Sequence, residues 1–293
     1  MAYKLGVLIV HGMGSQKRGF SDELVAELES RIGNSSEICW QEVYWADVLN
    51  YREEKLCADM KVDTKLDYSR IRRFVITAFG DALAYQRVPG PDEDVYSQIH
   101  GIIRDNLSKL RSSLRQDLPA SAPDCPIVVI AHSLGCHIIS NYIWDHQQSE
   151  KLRANGKRRK RNKSFGKNDL ERMNTLAGII TFGCNIPLFS LAYKEALAID
   201  FPPPNLQKHF PKTDQKTLQK TVKLLNFHDI DDVLGYPLKP LSPSFNQAVS
   251  EDIAIDAGFP LLSNTPLSHS MYWTDDNFTK PVAKQLNDLL NLI

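Results

Sequence analysis

A short apolar run that breaks at a serine constrains the fold of this chain more than any other feature. Residues 126–132 are rich in β-branched side chains, and helical periodicity follows Ser133. The pattern predicts a buried strand, a sharp turn and a helix. Ala131 and Gly135 lie two positions before and after the serine. Glycine is usual at both places, but alanine adds only a methyl group, so the tight turn of a nucleophile elbow is expected here.

Length and charge limit the classes of protein to be considered. The chain has 293 residues, of which 42% are hydrophobic and 24% are charged, as expected for one large α/β domain over residues 1–293. Its 35 basic residues balance 35 acidic ones, so no overall field favours nucleic acid, and no nucleic-acid partner is expected.

Cysteine usage and hydropathy bear on the cellular compartment. The five cysteines are odd in number and show no C-x-x-C spacing, which argues against a disulfide framework and against a zinc site. We expect free thiols in a reducing compartment. No leader pattern opens the sequence, and no run approaches the roughly 20 apolar residues of a membrane span. The sequence therefore predicts a cytoplasmic protein without a transmembrane segment.

Several nearly continuous apolar runs alternate with helical patterns along the chain, which favours a parallel sheet buried on both faces. Besides the run before Ser133, strands are predicted at 3–10, 37–45, 176–182 and 221–227. Helices are predicted at 22–32, 68–85, 95–114, 134–146, 189–199 and 278–290. The strand at 37–45 is less uniformly apolar, so we expect it nearer an edge.

Two segments exceed what a simple strand-to-strand connection needs. About 70 residues separate the second and third strands, so a helical insertion is expected at about 46–117. It could cover a site as a lid or form a purely structural layer, and apolar lid candidates are Phe74, Val75, Ile76 and Phe79. A mobile loop is expected at about 147–170. Its basic run, 157–163, can bind anions but more often is simply solvated.

A glycine-rich loop follows the first strand and has three interpretations. A dinucleotide fingerprint needs G-x-G-x-x-G, but the glycines fall at Gly12, Gly14 and Gly19, and no acidic residue closes a second strand at the expected distance. An oxyanion loop would let the backbone N–H of Met13 face a reacting oxygen. A plain tight turn would be preferred if Ser133 were absent.

Acidic residues cluster at the end of the strand at 221–227. Asp229, Asp231 and Asp232 stand within four positions. A metal site is not favoured, because hard cations require more oxygen ligands than this cluster offers and the glycine at the sixth position of an EF-hand loop is absent. No metal is therefore expected. Capping of the next segment is the structural alternative. Further on, His269 lies in a loop before the final helix, where a base could reach over the sheet.

The chain order serine, aspartate, histidine, each at or beyond the end of a predicted strand, resembles that of the α/β-hydrolase superfamily. The similarity is to lipase-like and esterase-like serine hydrolases, and residues 10–14, 131–135, 231–238 and 268–273 carry it. It implies a mostly parallel sheet flanked by helices. It covers most of the chain apart from the helical insertion and the loop after the elbow helix.

The resemblance implies a role for each matching residue. Ser133 would be the nucleophile, His269 the general base and then acid, and Asp232 the carboxylate that orients the imidazole. The backbone N–H groups of Met13 and Leu134 would form the oxyanion hole. The supporting motif residues are His11, Gly12, Gly14 and Gly135. Asp229 is a serious alternative to Asp232 as the acid, and Asp231 is a lesser one.

Two further histidines lie near the serine. The side chain of His132 should point away from Ser133, and His137 lies one helical turn along, where a structural role is favoured.

The predicted activity is hydrolysis of carboxylic esters through an acyl-enzyme. Among these substrates, lipidic or acyl esters are weakly favoured. No cofactor is implied. The partner would be a small-molecule or lipid ester, with transient contact to a membrane surface. The same residues suit an acyltransferase or thioesterase, and a catalytically inactive hydrolase-fold binding or scaffold protein is a second class. A nucleotide-dependent enzyme is a third.

Overall fold

The fold is seen in a computed structural model that describes residues 2–14, 16–87, 94–156, 166–258 and 266–293. Its sheet has the order β2-β1-β3-β4-β5-β6, and every neighbouring pair is parallel. The strands are β1 (Leu5–Val10), β2 (Ile38–Val43), β3 (Ile127–His132), β4 (Leu176–Phe182), β5 (Lys223–Asp229) and β6 (Glu251–Ile255). The predicted parallel sheet is confirmed, and β2 lies at an edge, as its weaker apolar pattern indicated.

Helices cover both faces of the sheet. They are α1 (Asp22–Arg31), α2 (Asp47–Asp59), α3 (Val62–Lys65), α4 (Ser69–Phe74), a π-helical segment (Val75–Phe79), α5 (Gly80–Ala84), α6 (Val95–Leu114), α7 (Leu134–Ala154), α8 (Ile186–Ser190), α9 (Gln215–Thr221), α10 (Pro243–Ala248) and α11 (Asp276–Leu290). Side chains of β1 alternate between two apolar clusters, with Leu8 facing α6 and α7 and Ile9 facing α1 and α11.

Helix α7 is longer than the sequence pattern indicated. A helix ending near residue 146 and a loop from about 147 were expected, but α7 continues to Ala154. Residues 147–153 are mostly good helix formers, and Gly156 is the next residue that favours an end. The expected loop therefore starts later. Its basic run at 157–163 lies outside the described residues.

The prediction of a helix at 189–199 is wrong. Helix α8 begins earlier, with Pro187 in its first turn, and ends at Ser190. Leu191 is 86% exposed, and Leu197 is exposed as well, so no core stabilises a helix beyond that point. The pattern did not reveal β6, α9 or α10, because these elements are short. In β6, acidic residues interrupt the apolar ones at the edge of the sheet.

The helical insertion lies between β2 and β3 and contains α2 to α6. Among the lid candidates, Phe74, Val75 and Phe79 are exposed, and Ile76 is partly buried. Asp81, on the same helical run, is buried. Within the described part of the chain, no helix has the length and apolar character to cross a membrane. The five cysteine side chains are buried, unpaired thiols.

Candidate active site

The serine predicted at the elbow occupies a strained backbone position between β3 and α7. Ser133 has φ 50° and ψ −124°, which costs a non-glycine residue about 1–3 kcal/mol. Two glycines let neighbouring backbone approach it. A Cβ at Gly12 would lie 2.6 Å from the Ser133 Cβ, and one at Gly135 would lie 2.5 Å from the carbonyl oxygen of His11. The side chain of Ser133 is thus fixed at the carboxyl edge of the sheet.

A continuous hydrogen-bonded chain joins three of the predicted residues. The Nε2 atom of His269 lies 2.8 Å from Oγ of Ser133. Its Nδ1 atom lies 2.9 Å from each carboxylate oxygen of Asp232, whose side chain is fully buried. This arrangement places the imidazole proton on Nδ1, facing the carboxylate, and leaves Nε2 to accept from the serine hydroxyl.

Hydrogen bonds keep the carboxyl group of Asp232 charged. Burial by itself would raise its pKa, but the hydrogen bond and charge of His269 oppose this, as do the amide of Leu234 and the hydroxyl of Tyr272. Together they lower the pKa of Asp232 below its ordinary value, so the group is ionised at neutral pH.

The two alternative acids have other positions. The side-chain oxygens of Asp229 accept from the amides of Asp231 and Ala257, at 2.7 Å each. Asp229 therefore shapes the loop that carries Asp232. Asp231 is partly exposed, and the structure does not bring it to His269. Among the residues described, no three His, Cys, Asp or Glu side chains are grouped to hold a metal ion.

The loop after β1 is anchored on both sides of Met13. The Nδ1–H of His11 donates to the carbonyl oxygen of Gly12 at 2.7 Å, and the amide of Gly14 donates to Oδ2 of Asp81 at 2.8 Å. Burial lowers the pKa of His11 to about 4, so its ring stays neutral. Leu134 supplies the first amide of α7, where amide groups lack an intrahelical partner.

Comparison with known proteins gives structural neighbours only. No family model and no curated protein matches the chain. Solved structures similar to it include mouse alpha/beta hydrolase domain-containing protein 10 (9% identity, 98% of this chain and 89% of that one, TM-score 0.36). A lipase-esterase related protein from Clostridium acetobutylicum is also similar, with 10% identity over 99% of this chain and 95% of that one and a TM-score of 0.34. So is a peroxisomal alpha-beta-hydrolase from Saccharomyces cerevisiae, with 9% identity over 99% of this chain and 76% of that one and a TM-score of 0.35. Such low similarity carries no argument about activity.

The chain's own arrangement identifies the fold class. A parallel sheet carries a strained serine turn after a central strand, and an aspartate and a histidine follow the serine in sequence. The chain has the α/β-hydrolase fold. The fold predicted from the sequence motifs is thereby confirmed.

Within this α/β-hydrolase fold, a tyrosine that the sequence motifs did not single out contacts the candidate acid, Asp232. The hydroxyl of Tyr272 donates to Oδ2 of Asp232 and accepts from the amide of Asp229, at 2.8 Å each. The only sequence signal was its place three residues after His269. Tyr272 therefore holds the carboxylate against the imidazole.

His132 contacts the loop of His269 rather than the serine. Its Nε2–H donates to the carbonyl oxygen of His269 at 2.9 Å, and the two rings lie 4.8 Å apart. Burial lowers the pKa of His132 to about 3, so the ring is neutral. His132 is thus placed to hold the histidine loop in position.

Asp81 links the helical insertion to the candidate oxyanion loop, and sequence motifs gave no signal for it. Burial, together with the neighbouring carboxyl of Glu53, raises the pKa of Asp81 to about 8, although the Gly14 amide opposes the rise. At neutral pH Asp81 is therefore mostly protonated and adds little negative charge beside Met13.

Two glycines leave room for the side chains of Asp232 and His269. A Cβ at Gly235 would lie 2.4 Å from Oδ2 of Asp232. Gly183 has φ 54°, and a Cβ there would lie 3.1 Å from the ring of His269. The end of β4 and the acid loop can therefore close around the two side chains only because both positions lack a Cβ.

Proposed function

We propose that this protein is a serine hydrolase that cleaves carboxylic esters. The observation that carries the proposal is the hydrogen-bonded chain from Ser133 through His269 to the buried Asp232, built on a strained elbow. A nucleophile within reach of a base, which a third group orients, is the constellation for acyl transfer to serine.

In the proposed mechanism, Oγ of Ser133 attacks the ester carbonyl carbon while Nε2 of His269 takes the hydroxyl proton. Asp232 stabilises the imidazolium that forms. The amides of Leu134 and Met13 receive the negative oxygen of the tetrahedral intermediate. His269 then protonates the leaving alcohol as the ester C–O bond breaks. A water molecule, deprotonated by His269, hydrolyses the acyl-enzyme and restores the serine.

The proposal also covers the class of ester that is cleaved and the role of the helical insertion as a lid. Exposed apolar side chains at Phe74, Val75 and Phe79 support a lid that meets apolar acyl esters, including lipidic ones, during transient contact with a membrane surface. The buried free thiols agree with a cytoplasmic location. Residues 1–293 would act as one domain.

Labelling with a fluorophosphonate tests the proposal, because this probe reports an activated serine without knowledge of the substrate. We expect an adduct on Ser133 by peptide mass spectrometry. Ser133→Ala should lose the adduct and reduce ester turnover by at least about 10³-fold. The matched control Ser112→Ala, on α6, should label like the wild type. No adduct on folded protein would instead favour the non-catalytic binding or scaffold interpretation, and labelling at another residue would overturn the assignment of Ser133 as the nucleophile.

A further inference from the structure

Exposed apolar side chains are concentrated in the helical insertion. Of the seventeen large apolar side chains that are exposed in the described part of the chain, ten lie at 51–83. Single apolar residues scattered over a surface are ordinary, but a concentration of them in one segment marks a surface that meets a partner. The insertion therefore carries a contact surface as well as the buried side that packs on the rest of the fold.

The most regular part of this surface is an apolar stripe along the helical run at 69–84, which comprises α4, the π-helical segment and α5. The stripe consists of residues four positions apart: Ile71, Val75, Phe79 and Leu83. All four are exposed, from 47% at Val75 to 71% at Leu83. Side chains at this spacing share one face of a helix. Asp81 is buried on the inner side of the run and accepts from the amide of Gly14.

Two arginines border the stripe. Arg70 and Arg72 stand directly before and after Ile71, and both are exposed. An α-helix turns about 100° per residue, so the two arginine side chains leave the helix on opposite sides of Ile71. Arg73, one position further round the helix, pairs with Asp63 of α3 at 2.6 Å. The stripe is therefore apolar along its centre and cationic at both edges.

The charges of the insertion that have no ionic partner are mostly positive. Among the described residues at 51–87, the cationic side chains without a salt bridge are Arg52, Lys61, Lys65, Arg70 and Arg72. The exposed carboxyl without one is that of Asp67, and Glu53 is partly buried against Asp81. Asp81 adds little negative charge, because burial raises its pKa to about 8. This surface therefore carries an excess of positive charge, although the whole chain is neutral.

An anionic lipid surface matches both features of the stripe. Its phosphate groups lie above its acyl chains, so cations at the edges and apolar side chains at the centre each meet a complementary layer. A second copy of this chain matches less well. A two-fold contact through the stripe would bring Arg70 and Arg72 of one copy against the same arginines of the other, and like charges repel.

We propose that the apolar stripe docks on an anionic lipid surface, with Arg70 and Arg72 at the phosphate groups. The inference deepens the proposed function, and it rests on that function only in taking the ester to be met at a membrane. The inner side of the same run contacts the loop after β1 through Gly14. Docking through the stripe therefore brings the lipid next to the edge of the sheet that carries Ser133.

Vesicle co-sedimentation of the full chain tests the docking, with Ser133→Ala as the parent protein so that no lipid is hydrolysed. Phosphatidylcholine vesicles with and without phosphatidylserine are compared at low and high salt. We expect the partition coefficient to be at least about 10-fold larger on the anionic vesicles and to fall as salt screens the cations.

Two double variants separate the contributions of charge and of apolar surface. Arg70→Gln with Arg72→Gln should lower the partition coefficient on anionic vesicles at least about 10-fold. Ile71→Ser with Leu83→Ser should lower it by a similar factor, because two inserted apolar side chains are lost. All four side chains are exposed, so the urea midpoints of both variants should match that of the parent.

The matched controls lie at the amino ends of the strands. Lys212→Gln with Lys216→Gln removes two exposed positive charges before β5, and Tyr3→Ser removes an exposed aromatic side chain before β1. Both should bind anionic vesicles like the parent. An equal loss in the lysine and arginine variants would overturn the proposal, because total charge would then drive binding. Equal binding to neutral and anionic vesicles would overturn it too. A dimer that Ile71→Ser with Leu83→Ser dissociates would assign the stripe to a second copy instead.

Docking and catalysis can fail independently in these experiments. Vesicle binding by Ser133→Ala needs no activated serine, so selective binding to anionic vesicles supports the docking even if the wild type forms no fluorophosphonate adduct. An adduct on Ser133 without vesicle binding overturns the docking and leaves the proposed hydrolase activity in place.

Discussion

At the scale of single residues, a substitution at Tyr272 tests whether a residue outside the proposed triad positions the carboxylate of Asp232. Replacing it with phenylalanine keeps the ring in the core but removes the donor to Asp232 and the acceptor for the Asp229 amide. We expect kcat to fall about 10-fold, because a hydrogen bond to a carboxylate contributes about 1.5–3 kcal/mol. Urea unfolding should show a loss of about 1–3 kcal/mol from the unpaired amide.

The control for this experiment is Tyr236→Phe in the same loop. The hydroxyl of Tyr236 donates to the carbonyl oxygen of Val233 and does not contact Asp232. This variant should keep kcat within about two-fold of the wild type. Equal losses in the two variants would assign Tyr272 a general structural role only.

Residues with a local signature could be predicted from the sequence, and those defined by distant contacts could not. Ser133 stands in a strand, turn and helix pattern that a few neighbouring residues specify. Asp81 meets Gly14 across 67 positions, and Tyr272 meets Asp232 across 40. No local pattern records such pairs. The sequence also did not decide among the three candidate acids, because they differ in the loop amides from which each carboxylate accepts hydrogen bonds.

At the scale of elements, Asp81 makes the contact between the insertion and the candidate oxyanion loop sensitive to pH. Its carboxyl accepts from the Gly14 amide and faces the carboxyl of Glu53 from α2. Above pH about 8, the charge on Asp81 should oppose the negative oxygen of the intermediate. We expect wild-type kcat/KM to fall there, and Asp81→Asn, which still accepts from Gly14, to retain its activity.

The profile of kcat/KM between pH 6 and 10 checks this expectation. Asp81→Ala removes the acceptor and should lower activity at every pH, whereas Asp105→Asn, an exposed carboxyl on α6, should follow the wild type. Identical alkaline decline in wild type and Asp81→Asn would contradict the role of this charge.

Stability gives an independent readout of the same group. The folded state holds the Asp81 proton up to pH about 8, whereas the unfolded chain releases it near pH 4. Its contribution to stability is therefore complete below pH 4 and is lost as pH rises toward 8. The unfolding free energy of Asp81→Asn, relative to wild type, should increase across that window and level off above it.

Elements were predictable where apolar periodicity is long and unbroken. Strands β1, β3 and β4 and helix α6 follow such runs. The short elements β6, α9 and α10 depend on packing partners that are distant in sequence. In α8, Pro187 fixed the start, but exposure of the following apolar residues fixed the end. Tertiary burial overrides local propensity in these cases.

At the scale of the whole molecule, seven buried or partly buried histidines share one electrostatic property. Burial lowers the pKa of each of them: His11, His100, His132, His137, His146, His209 and His228. The pKa is about 4 for His11 and about 3 for His132. His11 and His132 lie at the candidate site, and His100, His137 and His146 lie on α6 and α7.

Acid should therefore unfold the protein steeply. A histidine whose folded pKa is lowered contributes stability above its unfolded pKa of about 6.5, and this contribution is lost as pH falls toward the folded value. His11, His132 and His137, with folded pKa values of about 4, 3 and 4, would take up about two protons on unfolding at pH 6, and Asp81 would release about one. These groups alone should lower the unfolding free energy by roughly 2 kcal/mol for each unit that the pH falls there, and the other histidines with a lowered pKa add to this slope.

Urea unfolding at pH 7, 6 and 5, with the proton uptake measured at each pH, checks this slope. In His137→Gln the slope should drop by up to about 1.4 kcal/mol per pH unit, since one titrating ring is gone. An exposed histidine would leave the slope unchanged on removal. A flat profile from pH 7 to 5 would mean that these rings charge inside the folded protein, so the neutral forms assigned to His11 and His132 at the site would have to be abandoned as well.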